Sequence, residues 1–167
     1  MDRCGISTKY DLYLRQGCNC LPDFRDLDHE VSFVTYPTFQ QWIVQQTPTV
    51  LGFLQVSLTE PVARALLQRL RSGGAVGFII KDGYRQPKVS LANAYRLADQ
   101  ELTRRQEQKF PGYTFKPVAF HQERPQTWRF VCACPPLIEE GYIPGALFAD
   151  VDKIDGHIWQ QEEYQEE

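Results

Sequence analysis

The sequence has no dense run of lysine and arginine and no long apolar segment. Its 18 basic residues are outnumbered by 21 acidic ones, and the nearest basic cluster, Arg104-Arg105, lies between Glu101 and Glu107. Proteins that bind nucleic acid usually present a basic face, so the composition argues against nucleic-acid binding. No stretch approaches the roughly 20 apolar residues of a membrane-spanning helix, and the polar N-terminal residues lack the apolar core of a signal peptide. We therefore expect a cytoplasmic protein.

The sequence also lacks a phosphate-binding loop, although RSGGAVGF (residues 71–78) contains several glycines. In a phosphate-binding loop, a strand leads through glycines into a helix whose first amide groups bind the phosphate. Here the order is reversed, because a predicted helix ends at Gly73-Gly74 and a strand follows. The glycines are therefore interpreted as the end of a helix, and nucleotide binding is excluded on this basis.

The sequence does contain enough apolar material for a folded core. Of its 167 residues, 43% are hydrophobic and 13% are aromatic, which suits a single compact domain. We expect residues 1–29 to form an irregular extended arm and residues 30–159 to form the domain. The acidic residues 160–167 are expected to form a disordered tail.

Hydrophobic periodicity predicts an α+β fold with two halves. In the first half, residues 30–86, strand patterns at 31–36, 49–58 and 75–80 alternate with helix patterns at 39–46 and 59–74, which gives βαβαβ. The second half, residues 87–159, begins with a helix from Ser90 to Lys109. Strand patterns follow at 114–120, 127–134 and 146–152, with a short one at 157–159 after the turn Asp155-Gly156. We expect this antiparallel α-β-β-β half to pack with the first.

From Leu91 onward, this order resembles the cystatin-like α-β-β-β layout of PepSY-type and small immunity-type domains. The similarity lies in FADVDKIDGHIW (148–159), where a strand leads through an aspartate and a D-G turn to a short final strand. The matching residues are Val151, Asp152, Asp155, Gly156 and Ile158, and Trp128 and Phe130 would belong to the preceding strand. The resemblance implies a non-catalytic binding or inhibitory role, but a shared layout carries no site residue by itself. The first half resembles no family.

Two C-x-C pairs, Cys18/Cys20 and Cys132/Cys134, contain four of the five cysteines. Four thiolates can enclose zinc in a tetrahedral site, although structural zinc sites usually separate the paired cysteines by two or more residues. On a strand, Cys132 and Cys134 would point to the same face, with their β carbons about 6–7 Å apart. For both cysteines to bind one metal ion, the strand would therefore have to be kinked.

Core packing is the simpler interpretation of the second pair. Trp128 and Phe130 share the predicted inward face with Cys132 and Cys134, and a free cysteine in such a place behaves as a small apolar residue. A zinc site with Cys18 and Cys20 stays open as an alternative, as does a disulfide or redox role.

A thiol-dependent enzyme is the third alternative. It would use Cys132 or Cys134 as the nucleophile, with His157 on the terminal hairpin as the base. The sequence has neither a nucleophile-elbow motif nor a glycine-rich oxyanion loop, so we assign no catalytic residue.

The aspartates near the C-terminus do not form a calcium-loop motif. Ile154 stands where the third ligand should be, and no distal glutamate is in register. Alternation instead predicts that Asp150 and Asp152 lie on the solvent-facing side of a strand, with Asp155 in the turn.

The segment PPLIEEGYIPG, residues 135–145, predicts a long loop between two strands. Apolar and aromatic residues on a loop suit a partner surface, although this loop could equally fold over the core. Arg124, Leu137, Tyr142 and Ile143 are the candidate contact residues. We predict a non-catalytic protein-binding or regulatory protein without a cofactor, whose partner is another protein. The alternatives are a zinc-stabilised protein and the thiol-dependent enzyme.

Overall fold

The computed structural model describes residues 8–14, 53–72 and 76–165. The chain divides into two compact units, Met1–Asp82 with Glu167, and Gly83–Glu166, a boundary only a few residues before the predicted one between the halves. Helices occur together with two three-stranded antiparallel sheets, which confirms the α+β class. The predicted strand at 31–36 and helix at 39–46 lie outside the described residues.

The first unit contains one sheet and one helix. Its elements are β1 (Tyr10–Leu14), β2 (Phe53–Leu58), α1 (Glu60–Ser72) and β3 (Gly77–Lys81). The strand order is β2-β1-β3, with β1 antiparallel to both neighbours. Helix α1 buries one apolar stripe, and its end at Ser72 agrees with the prediction of a stop at the following glycines. The buried residues are Ala63, Leu66, Leu67 and Leu70.

The central strand β1 lies inside the segment that we predicted to be an irregular arm. That prediction is wrong for Tyr10–Leu14, where Leu12 is fully buried between the outer strands. Asp11 obscured the strand pattern, because a carboxylate is not expected in the middle of a sheet. The Asp11 carboxylate accepts a hydrogen bond from the Ser57 amide at 2.9 Å, which compensates its burial.

The second unit contains the other sheet. Its main elements are α2 (Leu91–Lys109), β4 (Ala119–Glu123), β5 (Thr127–Ala133), α3 (Pro135–Glu139) and β6 (Ala146–Asp152). Short 3-10 turns occur at Asp82–Arg85 and Glu163–Gln165. The strands pair in chain order, β4-β5-β6, and all pairs are antiparallel. Ser90 caps α2, because its hydroxyl accepts a hydrogen bond from the Asn93 amide at 3.2 Å.

Helix α2 packs against β5 and β6, and the core of the second unit lies between them. Ala94, Ala98 and Leu102 of α2 are buried, while Leu91 and Tyr95 near its start are exposed. The sheet contributes larger side chains, with Phe130 fully buried at the centre. The remaining buried members of this cluster are Val118, Cys132, Ala149 and Val151.

Three predicted boundaries in this unit differ from the structure. The strand predicted at 114–120 begins only at Ala119, because Pro117 has no amide hydrogen to donate to a sheet ladder. The strand predicted at 157–159 is reduced to a single bridge between Val151 and Ile158. The predicted loop 135–145 begins with the short helix α3, in which prolines occupy the first helical positions. None of the described helices is long and apolar enough to cross a membrane.

Candidate interaction surface

Cys132 and Cys134 are buried, free cysteines on the inward face of the second unit, as the core interpretation predicts. The Cys132 sulfur lies 3.2 Å from Gln106 Nε2, and the Cys134 sulfur lies 3.4 Å from the carbonyl oxygen of Thr114. Cys18 and Cys20 lie outside the described residues, so the zinc site remains a prediction.

The surroundings of Cys132 do not favour nucleophilic chemistry. Burial raises the pKa of the Cys132 thiol and outweighs the opposing hydrogen bond from Gln106, and a reactive thiol needs a lowered pKa. The proposed base, His157, has its two ring nitrogens 2.5 Å from Asp155 Oδ1 and 2.6 Å from Glu163 Oε1. Its nearest partners are therefore carboxylates instead of a thiol.

Asp150 and Asp152 are buried, with 0% and 1% of their surface exposed. The prediction that they face solvent is wrong, because other parts of the chain cover the outer side of β6. The Arg129 guanidinium on β5 donates two hydrogen bonds to Asp150, at 2.8 and 2.5 Å, and the Tyr164 hydroxyl donates a third. Burial alone would raise the pKa of Asp150, but these partners outweigh it and lower the pKa.

The Asp152 carboxylate is enclosed by four donors. The Tyr84 hydroxyl and the Trp159 indole N–H donate to Oδ2 at 2.5 and 3.0 Å. The backbone amides of Ile154 and Asp155 donate to Oδ1 at 2.8 and 3.3 Å. These bonds occupy the carboxylate and hold the end of β6 in its turn, so we assign Asp152 a structural role.

Asp152, Asp155 and His157 also meet a geometric condition for metal binding, since each offers a ligand atom within 4.8 Å of the others. However, the Asp152 oxygens already accept hydrogen bonds, and both His157 nitrogens face carboxylate oxygens. A histidine that donates from both nitrogens has no lone pair for a metal. We therefore assign no metal to this cluster.

The four predicted contact residues have different positions. Leu137 is buried, with 3% exposed, so the structure places it under the surface and not on it. Arg124 has a side chain only 27% exposed, with its guanidinium 4.0 Å from Asp150, and it belongs to the charged network behind β6. Tyr142 and Ile143 are exposed, at 54% and 95%. Only these two lie together on an open surface.

Ile138 is a further exposed apolar residue that the sequence analysis did not select. It is 54% exposed and lies in the same connection between β5 and β6. A helix beginning at the two prolines points Leu137 inward and Ile138 outward, and this helix was missed because its pattern is so short. We call Ile138, Tyr142 and Ile143 the 138–143 surface.

Hydrogen bonds and packing contacts within the chain hold the 138–143 surface in place. The Tyr142 amide donates to the Leu137 carbonyl at 2.9 Å, and the Cys134 amide donates to the Gly145 carbonyl at 2.9 Å. The Tyr142 ring contacts the edge of Phe110, with ring centroids 6.4 Å apart. At Gly145, where φ is +63°, an added β carbon would lie 2.2 Å from Ile138 Cγ1. Only glycine fits there without displacing Ile138.

Two carboxylates lie beside the apolar side chains. Glu139 and Glu140 are both exposed, and the Tyr113 hydroxyl donates to Glu140 Oε2 at 2.7 Å. The surface therefore combines an apolar centre with negative charge at its edge.

The chain finds no match among protein-family models, curated proteins or solved structures. Its functional interpretation therefore depends on the geometry of its own residues. Of the candidate sites, the buried cysteines and the enclosed aspartates have partners within the chain. Of these candidates, the 138–143 surface is the one whose side chains are exposed.

Proposed function

We propose that the chain is a non-catalytic, cytoplasmic protein-binding or regulatory protein that contacts another protein through the 138–143 surface. Three of the seven exposed large hydrophobic residues in the described part of the chain fall within this short segment. Single exposed apolar residues are ordinary, but an exposed apolar group with a polar border is typical of an interaction site. This grouping is the observation that carries the proposal.

The charge beside the surface indicates the chemistry of the partner. Glu139 and Glu140 would lie at the rim of the interface, where complementary charge increases the association rate and excludes wrong partners. Ile143, almost fully exposed, would be the residue that enters an apolar depression. We therefore propose a partner with an apolar pocket bordered by lysine or arginine.

We further propose that the Gly83–Glu166 unit has the cystatin-like layout, with a binding role of the immunity type. The order of α2, β4, β5 and β6 supports this proposal, as does the pairing of each strand with the next. The terminal turn also supports it, because Gly156 has a φ of +79° and Val151 pairs with Ile158. On this layout, the 138–143 surface lies on the connection between the last two long strands.

The proposal is tested with the double variant Tyr142→Ser/Ile143→Ser. Proteins retained by the tagged full chain from native lysate would be quantified by mass spectrometry for wild type and variant in parallel. We expect at least a tenfold loss of the specific partner, because interface anchors contribute on the order of 1–2 kcal/mol each and 1.4 kcal/mol is tenfold.

The matched control is Leu91→Ser, which removes an exposed apolar side chain at the start of α2, outside the surface. It should retain the partner as wild type does, and circular dichroism should show both variants folded. Equal retention of every protein by wild type and double variant would overturn the proposal.

A further inference from the structure

The segment from His157 to Tyr164 follows β6 and first pairs with it, through a bridge between Val151 and Ile158, while the Trp159 and Tyr164 side chains cover the outer side of β6. Trp159 is buried at 7% exposed, and the Tyr164 hydroxyl reaches Asp150. The two rings contact each other edge to face, with centroids 5.5 Å apart. This segment was predicted to be part strand and part disordered tail, but through Tyr164 it has defined contacts. We call residues 157–164 the C-terminal latch.

His157, at the start of the latch, contacts Glu163 near its end and Asp155 in the preceding turn. Its Nδ1 lies 2.5 Å from Asp155 Oδ1, and its Nε2 lies 2.6 Å from Glu163 Oε1. The second carboxylate oxygen of Glu163 accepts a hydrogen bond from the Gln160 amide at 2.6 Å. His157 and Glu163 thereby close a ring of contacts that positions Tyr164 over Asp150.

This arrangement fits only the protonated imidazole. A neutral histidine has one N–H donor and one acceptor lone pair, so one nitrogen would place its lone pair against a carboxylate oxygen. The imidazolium donates from both nitrogens and also carries the charge that the carboxylates attract. Loss of the proton would remove one of the two hydrogen bonds and leave a repulsive contact.

The other groups around His157 act in the same direction. Asp152 on β6 has its carboxylate within 4.8 Å of the ligand atoms of Asp155 and His157. Tyr84, from the 3-10 turn at Asp82–Arg85, donates to Asp152, and burial together with this bond raises the pKa of its hydroxyl. The nearby amine of Lys153 points away, 2.8 Å from Glu123 and over the Trp128 ring. The described surroundings of His157 are therefore acidic and favour its protonated form.

We propose that the C-terminal latch is sensitive to pH: it is closed over β6 while His157 carries both protons and opens when His157 becomes neutral. Opening would withdraw Tyr164 from Asp150 and Trp159 from Asp152. It would expose the carboxylates that β6 otherwise buries.

The titration of His157 fixes the direction of the pH dependence. Partial burial disfavours the charged ring, but the hydrogen bonds to Asp155 and Glu163 outweigh this, so the pKa of His157 is raised above its ordinary value of 6.5. Because the pKa of His157 is higher in the folded protein than in the unfolded chain, protonated His157 stabilises the closed latch fully at pH values below the unfolded-state pKa. This stabilisation is lost as pH rises through the folded-state pKa. The Asp155 pKa is lowered, chiefly by the backbone N–H of His157, so Asp155 stays ionised throughout this range.

Hydrogen–deuterium exchange of the full chain tests the proposal. Exchange of residues 157–164 would be followed from pH 6 to pH 9 and corrected for the intrinsic pH dependence of amide exchange. We expect protection of the latch to fall several-fold as pH rises, while protection of α2 stays constant. His157→Gln should remove the pH dependence, because a neutral amide does not titrate.

His121→Gln is the matched control, since His121 is an exposed histidine on β4 that contacts Phe148 and lies outside the latch. It should leave the pH profile of the latch unchanged. NMR of the imidazole nitrogens would show directly whether His157 is doubly protonated at pH 6. A neutral His157 at that pH, or latch protection that does not change while His157 titrates, would overturn the proposal.

Discussion

The regions before and after β6 both depart from the usual distribution, in which apolar side chains are buried and charged side chains are exposed. The connection before β6 leaves Ile138, Tyr142 and Ile143 exposed, although apolar residues are usually buried. On the other side, the end of β6 and the segment that follows bury Asp150 and Asp152, although charged residues are usually exposed.

The two regions differ in whether other residues of the chain bond or cover their unusual side chains. No buried side-chain nitrogen or oxygen in the described part of the chain lacks a hydrogen bond, and the buried aspartates have several donors each. The exposed apolar residues have no comparable cover in the described structure. Buried charge that is fully bonded serves the fold, whereas a group of exposed apolar side chains is a feature that interaction sites often show.

The largest expected effect comes from Arg129→Met, which leaves the Asp150 carboxylate buried without its main partner. Removing one member of a buried ion pair costs about 3–5 kcal/mol, so the free energy of unfolding should fall by that order. Urea denaturation, followed by circular dichroism, measures the change. The double variant Arg129→Met/Asp150→Leu removes both charges and should recover most of the loss. A loss below about 1 kcal/mol in the single variant would show that Asp150 does not depend on Arg129.

An intermediate effect is expected from Cys132→Ser. The substitution places a hydroxyl in the apolar core between α2 and the sheet, which costs about 1–3 kcal/mol. The same burial should make Cys132 in native protein react with iodoacetamide far more slowly than in urea-unfolded protein, as resolved by peptide mass spectrometry. Rapid labelling of native Cys132 would contradict the core assignment and would favour the thiol-dependent enzyme instead.

The smallest effect on stability is expected from Ile143→Ser. Because Ile143 is 95% exposed, the free energy of unfolding should change by no more than about 0.5 kcal/mol. Thermal and urea denaturation measure this value, and partner binding should weaken at the same time. A loss above about 1 kcal/mol would mean that Ile143 packs against this chain, and the contrast between the two connections would then fail.

Local patterns predicted some of these features and missed others for identifiable reasons. Helices α1 and α2 were predicted close to their observed ends, because their apolar stripes and end signals lie within the elements themselves. The burial of Asp150 and Asp152 could not be predicted from alternation, which separates the two faces of a strand without showing whether one is covered. Their partners Arg129, Tyr84 and Tyr164 are distant in sequence, so only the folded chain brings them together.

The candidate surface was predicted in part for the same reason. Tyr142 and Ile143 were selected because apolar residues in a loop are conspicuous. Leu137 was selected although it is buried, and Ile138 was not selected although it is exposed, because the single helical turn that orients them is too short to leave a periodic pattern. The zinc prediction with Cys18 and Cys20, and the resemblance to cystatin-like domains, stay predictions.

Gly145 has a practical consequence for protein engineering. Its positive φ would strain any other residue, and an added β carbon would have to displace the Ile138 side chain, so glycine is the residue best suited to close the connection. A combinatorial library built on this scaffold could randomise Ile138, Tyr142 and Ile143, but it should keep Gly141 and Gly145, which both have a positive φ. Contacts within the chain, such as the one between Tyr142 and Phe110, would reduce the conformational entropy lost on association. Selected variants should then differ mainly in how slowly they release their target.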